Sequence, residues 1–223
     1  MSATKIKLAA TAVIVSAACQ ANAALVTNAT GFGPSTVIDF QQFTSVNYAN
    51  AVPLQVGSAV GMDVDLFGFG TYNTHVGPKS HSLGPNGQWN STFDTNFYSV
   101  GLPVSSALAF EFVLNDGPVS GIGGFMNYAA GYGPVTIAAY DSGGGLLETH
   151  TIDVVAPINT PAGLNEGAFR GILRGTADIS AFRVSGGYAV LDDLTFNAIP
   201  EPASAALIGL GSVMLLRKRP TNT

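Results

Sequence analysis

Cysteine is nearly absent from this chain: Cys19 is the only one in 223 residues. It lies close to the N-terminus, ahead of every segment that has strand-like patterning. A domain without cysteine forms no disulfide and performs no thiol chemistry, so its stability rests on its hydrophobic core. The chain is therefore not one of the small exported scaffolds that are held together by disulfides.

Charge is also scarce, at 10% of the residues, and positive charge is the scarcer sign. Residues 24–198 contain four basic and thirteen acidic residues, a net charge of −9. The whole chain carries −5 because its two ends hold the other lysines and arginines. An acidic domain without a basic stripe repels phosphates, which argues against a nucleic-acid partner. The segment is long enough for one sizeable core, and no linker divides it.

Sequence motifs of catalysis are missing as well. The chain has no G-x-S-x-G, no H-E-x-x-H and no P-loop, and residues 121–124 lack the third glycine of a dinucleotide-binding fingerprint. His75, His81 and His150 are the only histidines, and we interpret them as solvated loop residues rather than as metal ligands or bases.

The N-terminus has the order of a secretory signal peptide. Two lysines precede an apolar run over residues 8–18, and Ala21-Asn22-Ala23 follows as a site with small residues. This order predicts a signal peptide over residues 1–23 that is cut after Ala23. The alternatives are a buried N-terminal helix and a lipoprotein attached through Cys19, which the polar Ser16 disfavours.

The apolar run near the C-terminus is short. Residues 203–216 carry no charge, and three basic residues follow them. A helix over these 14 residues would reach about 21 Å, less than the ~30 Å of a bilayer core. The basic residues would hold its end in the cytoplasm, and the prolines before it keep the preceding backbone extended.

This tail, residues 199–223, resembles the PEP-CTERM sorting signal. The residues that carry the resemblance are Pro200, Glu201, Pro202, Arg217, Lys218 and Arg219. It implies a transient inner-membrane anchor at residues 203–216 that is processed by an exosortase, a membrane-embedded cysteine transpeptidase. It also implies a Gram-negative bacterium that makes exopolysaccharide, with delivery to the cell surface or the matrix. The alternative is a permanent membrane anchor.

Residues 24–198 have the pattern of an all-β domain. Apolar residues alternate over residues 62–66 and 108–114, and glycine-rich turns at 141–145 and 185–187 separate further strands. We expect eight or nine short strands, no amphipathic helix, and a jelly-roll-like antiparallel β-sandwich. The strand at 191–196 also resembles the last strand of carbohydrate-binding-like sandwiches.

A long loop at residues 71–98 supplies a candidate glycan contact. It mixes aromatic residues with amides and hydroxyls, a combination that suits the apolar face and polar rim of a sugar. Trp89 and Tyr72 are the residues that we expect to stack on a glycan. The alternative is that these aromatics form a small cluster covering the sandwich.

Asp192 is a candidate ligand of calcium, the one cofactor that the sequence suggests. Strict alternation places it on the same face as four apolar residues, where an unpaired carboxylate is costly to bury. Arg183, across the turn at 185–187, would offset that cost, and so would a calcium ion shared with Asp39. A third possibility is a bulge that turns Asp192 outward.

We therefore expect a secreted, non-enzymatic protein of the exopolysaccharide or biofilm matrix. One alternative is a polysaccharide-processing enzyme that uses two of Glu111, Glu148 and Glu166, whose carboxylates would have to lie about 5–9 Å apart. The other alternative is a structural surface protein without a ligand.

Overall fold

The computed structural model describes residues 23–48, 52–69, 74–78, 80–89, 97–100, 109–160 and 167–197. The predicted signal sequence up to residue 22 and the predicted sorting tail from residue 199 lie outside these ranges. Tyr72 and Glu166 lie outside them too. No helix within the described ranges has the length and hydropathy to cross a membrane.

Two antiparallel sheets form the domain. In spatial order the eight-stranded sheet contains β1 (Ala24–Val26), β14 (Ala168–Leu173), β11 (Gly121–Asn127), β16 (Val190–Asn197), β9 (Phe97–Val100), β6 (Thr74–Gly77) and β3 (Val46–Tyr48), with β2 (Ser35–Ile38) beside β16. The six-stranded sheet contains β13 (Leu146–Thr151), β12 (Thr136–Tyr140), β15 (Ala181–Ser185), β10 (Ala109–Leu114), β5 (Val64–Phe69) and β4 (Leu54–Gln55). A small hairpin joins β7 (His81–Ser82) to β8 (Gln88–Trp89). The prediction of an all-β antiparallel fold is confirmed.

The hydrophobic core lies between the two sheets. Phe110 and Phe112 of β10 and Phe182 of β15 contribute fully buried side chains from the six-stranded sheet. Ile122 and Phe196 contribute from the eight-stranded sheet. Alternate residues of β5, β10 and β15 point away from this core, because side chains on a strand alternate between its two faces.

The strands are shorter and more numerous than the sequence indicates. The described residues contain sixteen strands instead of eight or nine, and several span only two to four residues, too few to show a period of two. The strand that follows the turn at residues 141–145 ends at Thr151, where a single helical turn, α1 (Ile152–Val155), follows and buries Ile152.

The turn at residues 185–187 connects the two sheets, although the sequence analysis expects Arg183 to neighbour Asp192 across it. β15 before the turn belongs to the six-stranded sheet, and β16 after it belongs to the eight-stranded sheet. Gly186 has φ +86°, and a side chain there would overlap the carbonyl oxygen of Pro134. The expected proximity of Arg183 and Asp192 is therefore wrong.

Candidate functional site

A bulge in β16 decides where Asp192 points. Against β11, Thr195 pairs with Gly123 and Asp192 pairs with Phe125, so β16 has one extra residue between these pairs. The left-handed φ of Asp193, 49°, lies within this bulge. Leu191 and Leu194, three residues apart, consequently both enter the main core. Strict alternation, which the sequence analysis used, fails at this position.

Asp192 lies on the outer side of the eight-stranded sheet and is still buried, with 3% of its surface exposed. Its register partner Phe125 packs against the cluster of Leu83, Trp89 and Val190 on that side. Its Oδ1 accepts a hydrogen bond of 2.8 Å from the backbone N–H of Asp193. The bulge considered as an alternative is present, but it does not turn Asp192 into solvent.

Asp39 lies beside Asp193 rather than beside Asp192. β2 pairs with β16 through Ile38 and Leu194, and Asp39 follows the end of β2. The carboxyl of Asp193 has a raised pKa, first because of desolvation and second because of the negative charge of Asp39. The described part of the chain contains no group of three or more acidic, histidine or cysteine residues placed to hold a metal ion. The calcium site stays a prediction.

Trp89 is an interior residue with 1% of its surface exposed. Its ring packs 6.0 Å from that of Phe125, in the cluster with Leu83 and Val190. This is the covering cluster that the sequence analysis names as the alternative to a glycan contact. Trp89 therefore does not present an exposed ring to a sugar.

The histidines lie at two separate places. His75 is buried, and its Nε2 donates to the carbonyl of Gly77 at 3.1 Å. Its ring lies 6.2 Å from that of His81. His150 lies on the edge strand β13 of the other sheet, with Nε2 3.1 Å from Oε1 of Glu148. The expectation of solvated loop histidines is wrong for His75, which is a buried strand residue.

Glu111 and Glu148 occupy opposite faces of the six-stranded sheet. Glu148 is in register with the core residue Ala139, so it lies on the inner side at the sheet edge. Glu111 is in register with Arg183, on the outer side. These two glutamates do not converge on one cleft, and Glu166 lies outside the described residues.

A group of charged and aromatic side chains centred on Arg183 lies on the outer face of the six-stranded sheet. The guanidinium contacts Oε2 of Glu111 through Nε and Nη2, each at 2.8 Å. Its Cζ also lies 5.0 Å from the ring centroids of both Phe69 and Tyr140. We call these four residues the Arg183 patch.

Strand register assembles this patch from four strands. Glu111 of β10 lies directly opposite Arg183 of β15, while Phe69 and Tyr140 come from β5 and β12 on either side. All four are at outward positions of their strands, and they are distant in sequence. Alternation in each strand could have shown that they point outward, but no local signal in the sequence shows that they meet.

No family model matches the chain, and a search of the curated proteins finds no match.

Proposed function

We propose that this chain is an exported protein that associates with extracellular polysaccharide and catalyses no reaction on it. The two chain ends support export and sorting, since residues 1–23 have the order of a signal peptide and residues 199–223 resemble a PEP-CTERM signal. In this proposal the two sheets form a jelly-roll-like sandwich at the cell surface or in the matrix of a Gram-negative bacterium. An exosortase would process the tail.

The Arg183 patch is the observation that carries the binding role. Phe69 and Tyr140 are half-buried rings on a sheet face, and a planar, hydrogen-bonding ion pair lies between them. Sugars present an apolar C–H face to an aromatic ring and hydroxyls to polar groups around it. The same combination of groups was expected around Trp89, which is buried.

Cosedimentation with matrix polysaccharide tests the binding role. We expect the exported protein, purified from the medium, to bind polysaccharide from its own producing cells and to release no reducing ends with time. An increase in reducing ends would favour the processing enzyme. Absence of binding would leave a structural surface protein without a ligand.

Replacement of Pro200, Glu201 and Pro202 by alanine tests the sorting role. The variant should accumulate at full length in the inner membrane, because the extended motif beside the short anchor is what the exosortase would recognise. Cell fractionation and immunoblotting measure this, with an alanine substitution of Thr221 as the control. Normal trimming and export of the triple variant would contradict the PEP-CTERM assignment.

A further inference from the structure

We propose that the Arg183 patch is a binding site for a neutral polysaccharide chain. This inference rests on the proposed function and specifies where the polysaccharide binds and which chemical class it belongs to. Three properties of the patch carry it: its rings are held in place, its ion pair has unused hydrogen-bonding groups, and its charge is balanced.

The rings of the patch are pre-organised by their neighbours. The guanidinium lies 5.0 Å from each ring centroid, a distance at which cation–π attraction holds both rings. Alanines occupy the outward positions between the larger side chains. These alanines are Ala109, Ala138 and Ala181, each at most 9% exposed. Because these alanines are covered although they point outward, the larger side chains on this face are closely packed, and little side-chain entropy is left to lose on binding.

The ion pair of the patch has hydrogen-bonding capacity to spare. Among the described residues, no group accepts from Nη1 of Arg183, and none donates to Oε1 of Glu111. The Arg183 side chain is 37% exposed and the Glu111 side chain 14%, so a ligand reaches the guanidinium more readily than the carboxylate. A donor and an acceptor side by side match the hydroxyl groups of a sugar, each of which both donates and accepts.

The charges around the patch favour a neutral ligand. Glu111 balances Arg183 within the patch. Asp65 lies on the same outer face, and Asn115 bridges it to Asp63 through hydrogen bonds of 3.0 and 3.1 Å. A polyanion would meet this excess of carboxylates in a domain of net charge −9, which repels it. These charges therefore favour a neutral polysaccharide as the ligand.

Binding to fractionated polysaccharide tests the site. Matrix polysaccharide of the producing cells is separated into neutral and anionic fractions by anion exchange, and affinity electrophoresis measures binding of the full exported protein to each fraction. We expect binding to the neutral fraction, with affinity nearly constant between about 0.05 and 0.5 M NaCl. Tyr140→Ala should weaken it about tenfold or more, the scale of a binding hot spot.

Two matched pairs of variants separate the role of the patch from general effects. Tyr132→Ala removes a ring that is 45% exposed and packs on Tyr188, away from the patch, and should bind like wild type. Arg183→Lys keeps the charge but loses the planar stack and the fork of donors, so it should lose most of the affinity. Arg174→Lys is its control, because Arg174 pairs with Asp178 instead. Melting curves verify that every variant is folded at the assay temperature.

Other outcomes would overturn the inference in distinguishable ways. If Tyr140→Ala and Arg183→Lys both bind the neutral fraction as wild type does, the site lies elsewhere, and the proposed function is unaffected. If the protein binds only the anionic fraction, if salt weakens this binding and if Arg183→Lys retains it, the ligand of the patch is not a neutral polysaccharide. If the protein forms a dimer and Tyr140→Ala abolishes it, the patch binds a second copy of this chain instead of a polysaccharide. Absence of binding to either fraction refutes the proposed function as well.

Discussion

Two aspartates have carboxyl pKa values that their neighbours displace in opposite directions. Asp193 has a raised pKa because desolvation and then the charge of Asp39 disfavour its ionised form. Asp178 has a lowered pKa, mainly because Arg174 donates hydrogen bonds of 2.6 and 2.9 Å to its two carboxylate oxygens. Desolvation dominates at Asp193 although the residue as a whole is exposed. The two residues should therefore contribute to stability with opposite dependence on pH.

Replacing Asp193 by asparagine should stabilise the domain at neutral pH. A raised pKa means that the folded state binds the proton more tightly than the unfolded chain does. The wild type is therefore most stable below the unfolded pKa, and it loses that contribution as the pH rises through the folded value. Asparagine is neutral at every pH and tolerates the left-handed backbone at this position. Urea unfolding from pH 3 to pH 8 measures the change, and a less stable variant at pH 7 would contradict it.

Asp178→Asn is expected to have the reverse effect. Its lowered pKa means that the ionised carboxylate contributes stability above the unfolded pKa, and this contribution is lost as the pH falls through the folded value. The variant should be less stable than wild type at pH 7 and approach it in acid. If the two variants changed the free energy of unfolding in the same direction at pH 7, the opposite displacement of the two pKa values would be refuted.

At the scale of elements, β16 and the turn before it connect the two sheets. β16 pairs with β11 along one edge, and along the other edge with β9 at its start and with β2 at its end. The bulge at Asp193 lies where the second edge changes partner. The turn at residues 185–187 delivers the chain from the six-stranded sheet to this strand. A change in the turn should therefore affect the packing of both sheets.

Gly186→Ala should destabilise the domain more than Gly133→Ala does. Both glycines have positive φ, +86° and +95°, so alanine at either position should cost about 1–2 kcal/mol in backbone strain. Gly133 has open space around the added methyl group, whereas at Gly186 that group would overlap the carbonyl of Pro134. Chemical denaturation of the two variants isolates the cost of this overlap. Equal losses of stability would show that the turn moves freely away from Pro134.

At the scale of the whole molecule, the pairing of β2 with β16 joins the beginning of the domain to its end. One of the alternatives expected from the sequence is a calcium ion shared by Asp39 and Asp192 at such a junction. The carboxylates that approach each other there belong to Asp39 and Asp193.

If the predicted calcium site exists, the exported protein should melt at a higher temperature with calcium than with a chelator. The described residues bring two carboxylates together at this junction, and no third acidic ligand joins them. Differential scanning calorimetry of wild type, Asp192→Ala and Asp193→Asn makes the test. A calcium-dependent rise by RT ln(1 + [L]/Kd) that Asp193→Asn removes would establish a calcium site centred on Asp193. A calcium-dependent rise in melting temperature that only Asp192→Ala removes would confirm the calcium site predicted from the sequence.

The local pattern of the sequence was enough to predict the all-β class. It also contains the signal for an outward Arg183, between the apolar Phe182 and Val184, although Arg183 was expected beside Asp192. These properties follow from alternation within a single strand, which depends only on residues close together in sequence. The same reasoning places Phe69 and Tyr140 on outward positions of their strands.

The tertiary structure decided which side of the sheet Asp192 faces and which residues surround Arg183. The bulge in β16 depends on its pairing with three other strands, so counting along one strand assigns the wrong face to Asp192. Arg183 meets Glu111, 72 residues away, because the register of β10 against β15 places them opposite each other. Register and bulges are set by contacts between distant segments, and the alternation within one strand carries no information about them.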